Sequence, residues 1–451
     1  MKKNSLVIIL GLGETGFACA HFLSKQNIPF SIMDTREIPP KLQEFKTQYP
    51  SIPVYTGGFD ASFLSKATTI ILSPGIPKEH PDIVQNISKN TEIIGDIELF
   101  ARTNQTSVVA ITGSNGKSTV TTLVGEMAKA ANIKVAVGGN LGTPAVSLLE
   151  SNPEMTVLEL SSFQLETTYS LKPETATILN LMPDHLDRYT SLEAYYAAKE
   201  RIYQNCEKVV INREDTISKS MAPKNVPTWT FGLNNSEDDN AFGLILRNDE
   251  YWLSRGQQAL LPKSKLRIIG RHNIANALAA LALGESVNLP LPAMLNTLQT
   301  FTGLEHRCEW VAHSKKILWI NDSKGTNVGS TLAALQGLKS EIPGKWILIA
   351  GGLGKNQDFS PLIPAVSEVC RFVILIGKAA DEFETLFSPT VPCKKVNSLE
   401  DAVQLAEGQA NPGDGVLLSP ACASYDMFQN FEERGKSFKA AVHTLIKGES
   451  E

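Results

Sequence analysis

The chain has 451 residues, of which 42% are hydrophobic and 20% charged, and a formal net charge of -5. This composition is ordinary for a soluble globular protein, and its mildly acidic balance gives little electrostatic reason to bind nucleic acid, so we expect small-molecule partners. At roughly 150 residues per domain, the length predicts about three domains, each able to bury a core. We expect the protein to be a monomer.

The cysteines and the N-terminal segment indicate where the protein works. Its six cysteines are scattered without a C-x-x-C pair, which favours neither a disulfide framework nor a zinc site. The apolar run Leu6–Leu12 resembles a signal peptide, but Glu14 interrupts it before any cleavage site. No stretch reaches the ~18 apolar residues that a membrane span needs. We therefore expect a cytoplasmic protein without membrane association.

The first predicted domain covers residues 1–94, where short apolar runs alternate with helix-like segments such as Phe17–Lys25. This alternation is typical of a small βαβ domain, and it predicts a Rossmann-like sheet. The predicted strands are Leu6–Leu10, Phe30–Met33, Thr69–Leu72 and Glu92–Ile94.

The Gly11–Gly16 loop has the form G-x-G-x-x-G, and Asp34 ends the next predicted strand about twenty residues later. Together they match the dinucleotide-binding fingerprint. Its physical content is narrower, namely a helix N-terminus for a diphosphate and an acidic group for a sugar or base. The loop therefore fits NAD and a UDP-sugar alike.

Two further strand ends of this domain carry polar residues. Thr35 and Arg36 follow Asp34 and offer donors and a cation for uridine or phosphate. Ser73-Pro74-Gly75 follows a later strand, and the carboxyl ends of strands in an open α/β sheet are where ligands bind. A plain turn would explain the Ser73–Gly75 segment equally well.

The second predicted domain, residues 95–302, begins with a phosphate loop. Val108–Ile111 predicts a buried parallel strand and Val120–Ala131 the helix that follows, with Gly113-Ser114-Asn115-Gly116-Lys117-Ser118-Thr119 between them. Backbone N–H groups in such a loop point at one anion, and the helix dipole adds to the attraction. The segment predicts ATP binding in a P-loop ATPase-like domain.

Individual residues of this loop suggest their own roles. Lys117 would reach the terminal phosphates and Ser118 would place its hydroxyl on Mg²⁺. The first glycine of the Walker pattern would fall at Ile111, so Gly113 makes the turn instead. The plainer alternative is a strand-turn-helix with a surface lysine.

Later strand ends in this domain carry acidic and imidazole groups. The strands that we predict are Lys134–Val137, Thr156–Leu160, Thr175–Leu179 and Lys208–Ile211, followed by antiparallel strands within Ala241–Leu253. Glu159 ends one strand and can hold a second Mg²⁺. His185 lies in the polar segment Asn180–Tyr189 and could reach the same metal. A lone histidine is more often structural, but the density of Asp, His and Arg residues in this segment favours a functional role.

A junction at Gly303–Arg307 begins the third predicted domain, residues 303–451. Its predicted strands are Ile317–Asn321, Trp346–Ala350, Arg371–Ile376 and Val416–Leu418. We predict a second Rossmann-like α/β domain here, so the whole chain is an α/β protein of three domains.

Motifs along nearly the whole chain resemble those of the Mur ligase family. They are the Gly113–Thr119 loop, Gly139–Gly142, Asp184–Tyr189, Gly270–Ala277, Glu305–Arg307 and Asn321–Asn327. Within the family, Asp322–Asn327 and Ser419–Asp426 most resemble the members that add D-glutamate to UDP-N-acetylmuramoyl-L-alanine. The resemblance implies an ATP-dependent amide ligase of peptidoglycan precursor synthesis, which forms an acyl phosphate and releases ADP and phosphate.

The resemblance also implies site residues. Those for the UDP-linked substrate are Gly13, Thr15, Asp34, Thr35, Arg36, Ser73, Gly75, Asn140, Ser161 and Gln164. Those for ATP are Gly113, Asn115, Gly116, Lys117, Ser118, Thr119, Asn273, Asn276, Arg307, Asp322 and Lys324. Those for D-glutamate are Thr326, Lys355, Ser424, Tyr425 and Phe431. The implied catalytic residues are Lys117, Glu159, His185 and Lys199.

Metal binding follows from the same resemblance, which implies ATP and two Mg²⁺ ions as cofactors. The implied metal ligands are Ser118, Glu159, His185 and Lys199, the last as a carbamate. Addition of CO₂ turns an amine into an anionic oxygen ligand, which can lie beside Mg²⁺ where an ammonium would be repelled. From the residues alone, Lys199 is a solvated lysine on an amphipathic helix.

Other functions remain open at this stage. Another Mur-type or a folylpolyglutamate-type ligase would share the phosphate loop, although the latter should lack the UDP-binding domain. An NAD-dependent oxidoreductase would explain the Gly11–Gly16 loop but leave the Gly113–Thr119 loop unused. A nucleotide-sensing module would explain two nucleotide sites without any chemistry.

Overall fold

The computed structural model describes residues 6–184, 188–268, 270–339, 341–354 and 357–447. The chain divides into two compact units. The first is Met1–Leu261 with Leu278–Thr297, and the second is Pro262–Ala277 with Leu298–Glu451. All six cysteines are free thiols, as their spacing predicted. Among the helices that the structure describes, none is both long and apolar enough to cross a membrane.

The first sheet is parallel, with the strand order β3-β2-β1-β4-β5. Its strands are β1 (Val7–Leu10), β2 (Phe30–Asp34), β3 (Val54–Thr56), β4 (Thr69–Leu72) and β5 (Glu92–Ile94). Its helices are α1 (Glu14–Lys25), α2 (Leu42–Gln48), α3 (Ala61–Leu64), α4 (Pro81–Val84) and α5 (Asp96–Ala101). The predicted Rossmann-like sheet is confirmed. Sequence patterns missed β3 because it is short and only partly buried.

The second sheet has the order β14-β13-β12-β11-β10-β9-β6-β8-β7. Its strands are β6 (Ser107–Thr112), β7 (Val135–Gly139), β8 (Met155–Glu159), β9 (Thr175–Ile178), β10 (Lys208–Asn212), β11 (Thr228–Phe231), β12 (Ala241–Arg247), β13 (Glu250–Arg255) and β14 (Gln258–Pro262). The helices are α6 (Lys117–Ala130), α7 (Ala145–Leu148), α8 (Ser162–Glu166), α9 (Leu192–Glu200), α10 (Thr216–Met221), α11 (Arg271–Ser286) and α12 (Leu291–Thr300). β12 and β13 pair antiparallel, as predicted.

The third sheet has the order β15-β16-β20-β17-β18-β19. Its strands are β15 (Glu309–Ser314), β16 (Ile317–Asn321), β17 (Trp346–Gly351), β18 (Cys370–Ile376), β19 (Cys393–Lys395) and β20 (Gly415–Leu418). The helices are α13 (Val328–Leu338), α14 (Ile363–Val369), α15 (Ala380–Phe387), α16 (Leu399–Gln409) and α17 (Phe431–Lys447). Apolar side chains of β17, β18 and β20 are fully buried between helices on both faces.

The hydrophobic core of the first unit is continuous between its two sheets. α1 and α5 pack against α7, and buried residues such as Leu23, Phe100 and Val146 belong to one cluster. Parallel strands of one sheet point the same way, so their carboxyl ends lie at the same edge of that sheet. The polar residues of the candidate site lie at these ends.

Candidate functional site

A cavity of about 600 Å³ opens at the carboxyl ends of the strands in the first unit. It is lined by Gly11, Gly13, Glu14, Thr15, Asp34, Thr35, Arg36, Ser73, Pro74, Gly75, Ile76, Gly139, Asn140, Gly142, Pro144 and Gln164. We call this space the substrate cavity. Apart from Ser161, every residue expected for the UDP-linked substrate lines it. Ser161 lies beside it and donates its hydroxyl to Gln164 Oε1 at 3.1 Å.

The Gly11–Gly16 loop brings two backbone segments very close together. Gly11 adopts a φ of +95°, which favours glycine. A Cβ on Gly16 would lie 1.9 Å from the carbonyl oxygen of Gly11, so only glycine fits there. The close turn leaves the N-terminus of α1 facing the cavity, where its N–H groups and the helix dipole would stabilise a diphosphate.

The carboxylate of Asp34 is committed to partners within the protein. Leu12 N donates to its Oδ2 at 2.7 Å, and the Arg36 guanidinium donates to both oxygens at 2.8 and 2.6 Å. Burial alone would raise the pKa of Asp34, but the Arg36 and backbone bonds outweigh it and lower that pKa. Asp34 therefore stays ionised and holds the exposed Arg36 at the cavity.

The phosphate loop lies between β6 and α6, as predicted, but the helix begins at Lys117, earlier than expected. Gly113 and Gly116 have φ angles of +150° and +83°, so the glycines turn the chain. Lys117 Nζ donates to the carbonyl oxygens of Gly113 and Ser114 at 2.8 and 2.9 Å. The ammonium thus lies over the loop that would surround the phosphates.

Glu159 connects the phosphate loop with the substrate cavity. It ends β8, directly beside β6, and pairs in register with Ile111. Asn140 Nδ2 donates to its Oε1 at 2.7 Å, whereas its Oε2 is buried without a hydrogen-bond partner. A buried carboxylate oxygen without a partner destabilises the protein unless a cation or a hydrogen-bond donor contacts it. Glu159 is therefore suited to be a ligand of Mg²⁺.

Lys199 is almost completely buried. The interpretation from the residues alone, a solvated lysine on an amphipathic helix, is therefore wrong. Its Nζ donates to the Gly113 carbonyl oxygen at 2.9 Å, the same atom that Lys117 contacts. Burial, reinforced by the Lys117 charge, lowers the pKa of Lys199 well below its usual range. Two ammonium groups on one carbonyl would repel each other, which favours the neutral form of the Lys199 amine. A neutral amine is the form that adds CO₂.

The second unit holds the remaining residues expected for ATP. Asn273 and Asn276 are buried one turn apart on α11, and Asn276 Nδ2 donates to Asn273 Oδ1 at 3.2 Å. Asp322 follows β16 and accepts from Cys308 N at 3.1 Å and from Ser419 Oγ at 2.7 Å. Burial raises the pKa of Asp322 to about 6. Arg307, near Cys308 in the chain, is half-buried.

Of the residues expected for D-glutamate, Phe431 begins α17, and Ser424 and Tyr425 precede it in the chain. The Lys324 ammonium is 3.7 Å from the centroid of the Phe431 ring, a cation–π contact. Ser424 is buried, Thr326 and Phe431 are half-buried, and Tyr425 is exposed. Two expected residues, His185 and Lys355, lie outside the described residues.

Sequence reasoning missed several side chains that hold these segments together. Asn180 accepts from Asn115 N at 2.8 Å, and the Tyr195 hydroxyl lies 3.1 Å from Ser114 Oγ. The buried Arg434 donates to Ser323 O at 2.8 Å and to Cys422 O at 3.1 Å, which joins the two expected D-glutamate segments. Only Asn180 had a sequence signal, because it directly follows a predicted strand.

Solved structures of ligases share this architecture at low sequence identity. UDP-N-acetylmuramate-alanine ligase MurC from Thermotoga maritima superposes with a TM-score of 0.62 at 20% identity, covering 98% of this chain and 100% of that one. MurF ligase from Thermotoga maritima, solved in complex with ADP, has a TM-score of 0.62 at 14% identity and covers 98% and 95%. The fold is therefore the three-domain α/β architecture of Mur ligases.

Sequence comparison defines the family. The MurD-like N-terminal domain of Mur ligases matches residues 5–95, the middle domain residues 111–284 and the glutamate ligase domain residues 306–422. The UDP-N-acetylmuramoylalanine--D-glutamate ligase of Pseudomonas aeruginosa is 50% identical over 438 residues, 97% of this chain and 98% of that protein. The ligase of that name from Hahella chejuensis is 47% identical over 445 residues, 99% of each chain. The chain belongs to the Mur ligase family.

Proposed function

We propose that this protein is an ATP-dependent ligase that adds D-glutamate to UDP-N-acetylmuramoyl-L-alanine in peptidoglycan precursor synthesis. The observation that carries the proposal is the position of Glu159, between the phosphate loop and Asn140 at the substrate cavity. A UDP-linked carboxylate in this cavity and the terminal phosphate of ATP on the loop would meet at this residue. Relatives named for this reaction match the chain over nearly its full length.

The reaction has two steps that balance without another reactant. The free carboxylate of the UDP-linked substrate attacks the γ-phosphorus of ATP, which gives an acyl phosphate and ADP. The neutral amine of D-glutamate then attacks the acyl carbon, phosphate leaves, and the amine loses a proton.

Charge neutralisation is the main task of the first step, because carboxylate and phosphates repel each other. Lys117 can swing from the Gly113 and Ser114 carbonyl oxygens to the terminal phosphates. Bound Mg²⁺, two ions in this proposal, would supply further positive charge, with Ser118, Glu159, His185 and Lys199 as the protein ligands. Glu159 Oε2 is the described atom whose missing partner supports this assignment.

Lys199 serves in this proposal as a carbamate. Its neutral amine attacks CO₂, a C–N bond forms, and the released proton leaves an anionic carbamate. The amine of Lys199 contacts the Gly113 carbonyl oxygen. The carbamate would add two oxygen atoms at this position, one of which would bind Mg²⁺. The lowered pKa of Lys199 supports the reaction because protonated lysine does not add CO₂.

Binding roles for the other residues follow from their positions. The substrate-cavity residues from Gly13 to Gln164 hold the UDP-linked substrate, with Arg36 on the uridine or phosphate side. Thr326, Lys355, Ser424, Tyr425 and Phe431 hold D-glutamate. The residues 1–94, 95–302 and 303–451 act as the substrate, ATP and amino-acid domains. We further propose that the enzyme works in the cytoplasm and as a monomer.

Phosphate release tests this function directly. Purified protein with UDP-N-acetylmuramoyl-L-alanine and Mg-ATP should release phosphate with D-glutamate, and not with L-glutamate, D-alanine or L-lysine. Equal release with another amino acid would reassign the substrate. Binding of both nucleotides without turnover would support a sensing module. Turnover of a folate substrate with L-glutamate would support a folylpolyglutamate-type ligase.

A further inference from the structure

Arg188, which no part of the mechanism uses, connects the phosphate-loop sheet with the wall of the substrate cavity. It lies beyond β9, in the segment that also contains Asp184. Its Nη1 donates to the Pro74 carbonyl oxygen at 2.9 Å and its Nη2 to the Ile76 carbonyl oxygen at 3.2 Å. The side chain is only 15% exposed, so these charge-assisted bonds are largely shielded from water.

The two carbonyl oxygens belong to the turn Ser73–Ile76, which follows β4 and lines the substrate cavity. Ser73 Oγ donates to the Gly11 carbonyl oxygen at 3.2 Å, within the glycine loop expected to face the diphosphate. Ser73 N also donates to Leu10 O at 3.0 Å. A displacement of the turn would therefore change two walls of the cavity together.

The other side of the guanidinium packs against α8. Its central carbon is 4.2 Å from the centroid of the Phe163 ring, which stacks on Tyr189 at 5.8 Å. Phe163 immediately precedes Gln164, another cavity residue. Glu166 Oε2 lies 4.0 Å from Arg188 Nη2, close enough to balance part of the charge. One planar group thus lies between two separate walls of the cavity.

We propose that Arg188 is a positioning residue that fixes the Ser73–Ile76 turn relative to α8 and so sets the shape of the substrate cavity for the UDP-linked substrate. The inference deepens the proposed function and rests on it. A guanidinium suits this role because its rigid fork donates to two carbonyl oxygens while its face stacks on a ring. Without Arg188, the turn keeps the Ser73 hydrogen bonds but loses both bonds to Pro74 and Ile76, so substrate binding must supply the free energy that orders this part of the turn.

The chain offers a matched control. Arg201 donates to the Leu165 and Thr168 carbonyl oxygens at 2.7 and 2.6 Å, and its guanidinium lies 5.3 Å from the Tyr169 ring centroid. It thus makes the same kinds of contact near α8, but none to the Ser73–Ile76 turn. Arg188→Ala and Arg201→Ala remove comparable interactions and differ in their link to the cavity wall.

Calorimetric binding of UDP-N-acetylmuramoyl-L-alanine, the KM for ATP and thermal melting should be measured for both variants. We expect Arg188→Ala to weaken binding of the UDP-linked substrate by about tenfold or more, the worth of one charge-assisted bond. The KM for ATP should change less than about twofold, since the phosphate loop keeps its own contacts. Arg201→Ala should lower the melting temperature without selective loss of substrate binding.

Equal substrate affinity in wild type and Arg188→Ala, or the same loss in both variants, would overturn the proposal. If Arg188→Ala does not fold, Arg188→Lys provides the test. Lysine keeps the charge but cannot fork to both carbonyl oxygens, so binding should still weaken by about threefold or more. Wild-type binding without D-glutamate-dependent phosphate release would instead contradict the proposed function, while the comparison of variants would remain valid.

Discussion

Replacement of Asp96 by asparagine should stabilise the protein at neutral and alkaline pH. Asp96 begins α5, is almost completely buried, and accepts from Gln164 Nε2 at 3.2 Å. Burial raises the pKa of Asp96 from 3.8 to about 6, and the bonds from Gln164 and the backbone offset this only in part. The folded protein therefore holds this proton more tightly than the unfolded chain.

The size and pH dependence of the effect follow from this difference. Between pH 3.8 and about 6, the unfolded chain loses the proton first, so ionisation costs stability as the pH rises. At about 1.4 kcal/mol per pKa unit, the cost reaches about 3 kcal/mol above pH 6. Asparagine does not ionise, and its carbonyl oxygen can still accept from Gln164. Asp96→Asn should thus gain up to about 3 kcal/mol at pH 8 and nothing below pH 4.

Thermal melting of wild type and Asp96→Asn between pH 4 and pH 8 measures this difference. Asp60→Asn serves as a control, because we expect it to change the stability at neutral pH in the opposite direction. Asp60 is exposed, and donation from the Ser62 hydroxyl and N–H lowers the pKa of Asp60. Its replacement should destabilise at neutral pH, with a difference that fades in acid. A melting difference for Asp96→Asn that stays constant with pH, or that becomes negative above pH 6, would refute the reasoning.

Three predictions concern the site. Lys117→Ala should abolish turnover while calorimetric binding of UDP-N-acetylmuramoyl-L-alanine stays within about twofold, because removing a phosphate contact leaves the cavity intact; equal loss of both would contradict it. Arg36→Ala should weaken the UDP-linked substrate by about tenfold and leave the KM for ATP unchanged, and a change confined to ATP would place the UDP site elsewhere. Lys199→Ala should be nearly inactive and regain activity with acetate or formate, since a small carboxylate can replace the carbamate. Rescue by methylamine, or substantial activity in Lys199→Arg, would show that Lys199 acts as a cation.

Local sequence patterns were enough to predict the local structure of those parts of the candidate site that lie on single strand-loop-helix units. The Gly11–Gly16 loop and the Gly113–Thr119 loop combine a buried strand, glycines and a helix N-terminus within a few residues. Glu159 was also predictable, because it ends an apolar run and parallel strands bring their carboxyl ends together. The structure confirms these strands, and the parallel pairing of β6 with β8 brings Glu159 into register with Ile111.

Long-range contacts could not be predicted in this way. Lys199 looks like a solvated lysine in its own helix, and only packing against the phosphate loop buries it and lowers its pKa. Arg434 lies 111 residues from Ser323 in the sequence, and only the tertiary structure brings the two residues together. The burial and the contacts of such residues depend on tertiary structure, so neither hydrophobic periodicity nor motif spacing predicts them.

The contacts of Asp34 explain why the dinucleotide-binding motif alone could not distinguish NAD from a UDP-sugar. An acidic residue at this position of a dinucleotide-binding fold binds the ribose hydroxyls of NAD, which requires free carboxylate oxygens. Here both oxygens accept from Arg36, and Oδ2 also accepts from Leu12 N. NAD-binding folds and this protein share the sequence motif. In this protein, however, the Asp34 carboxylate holds the guanidinium of the neighbouring Arg36 and does not accept from ribose hydroxyls. Because NAD and a UDP-sugar both carry a diphosphate, this cation does not distinguish them, and what counts against NAD is the loss of a free carboxylate for its ribose hydroxyls.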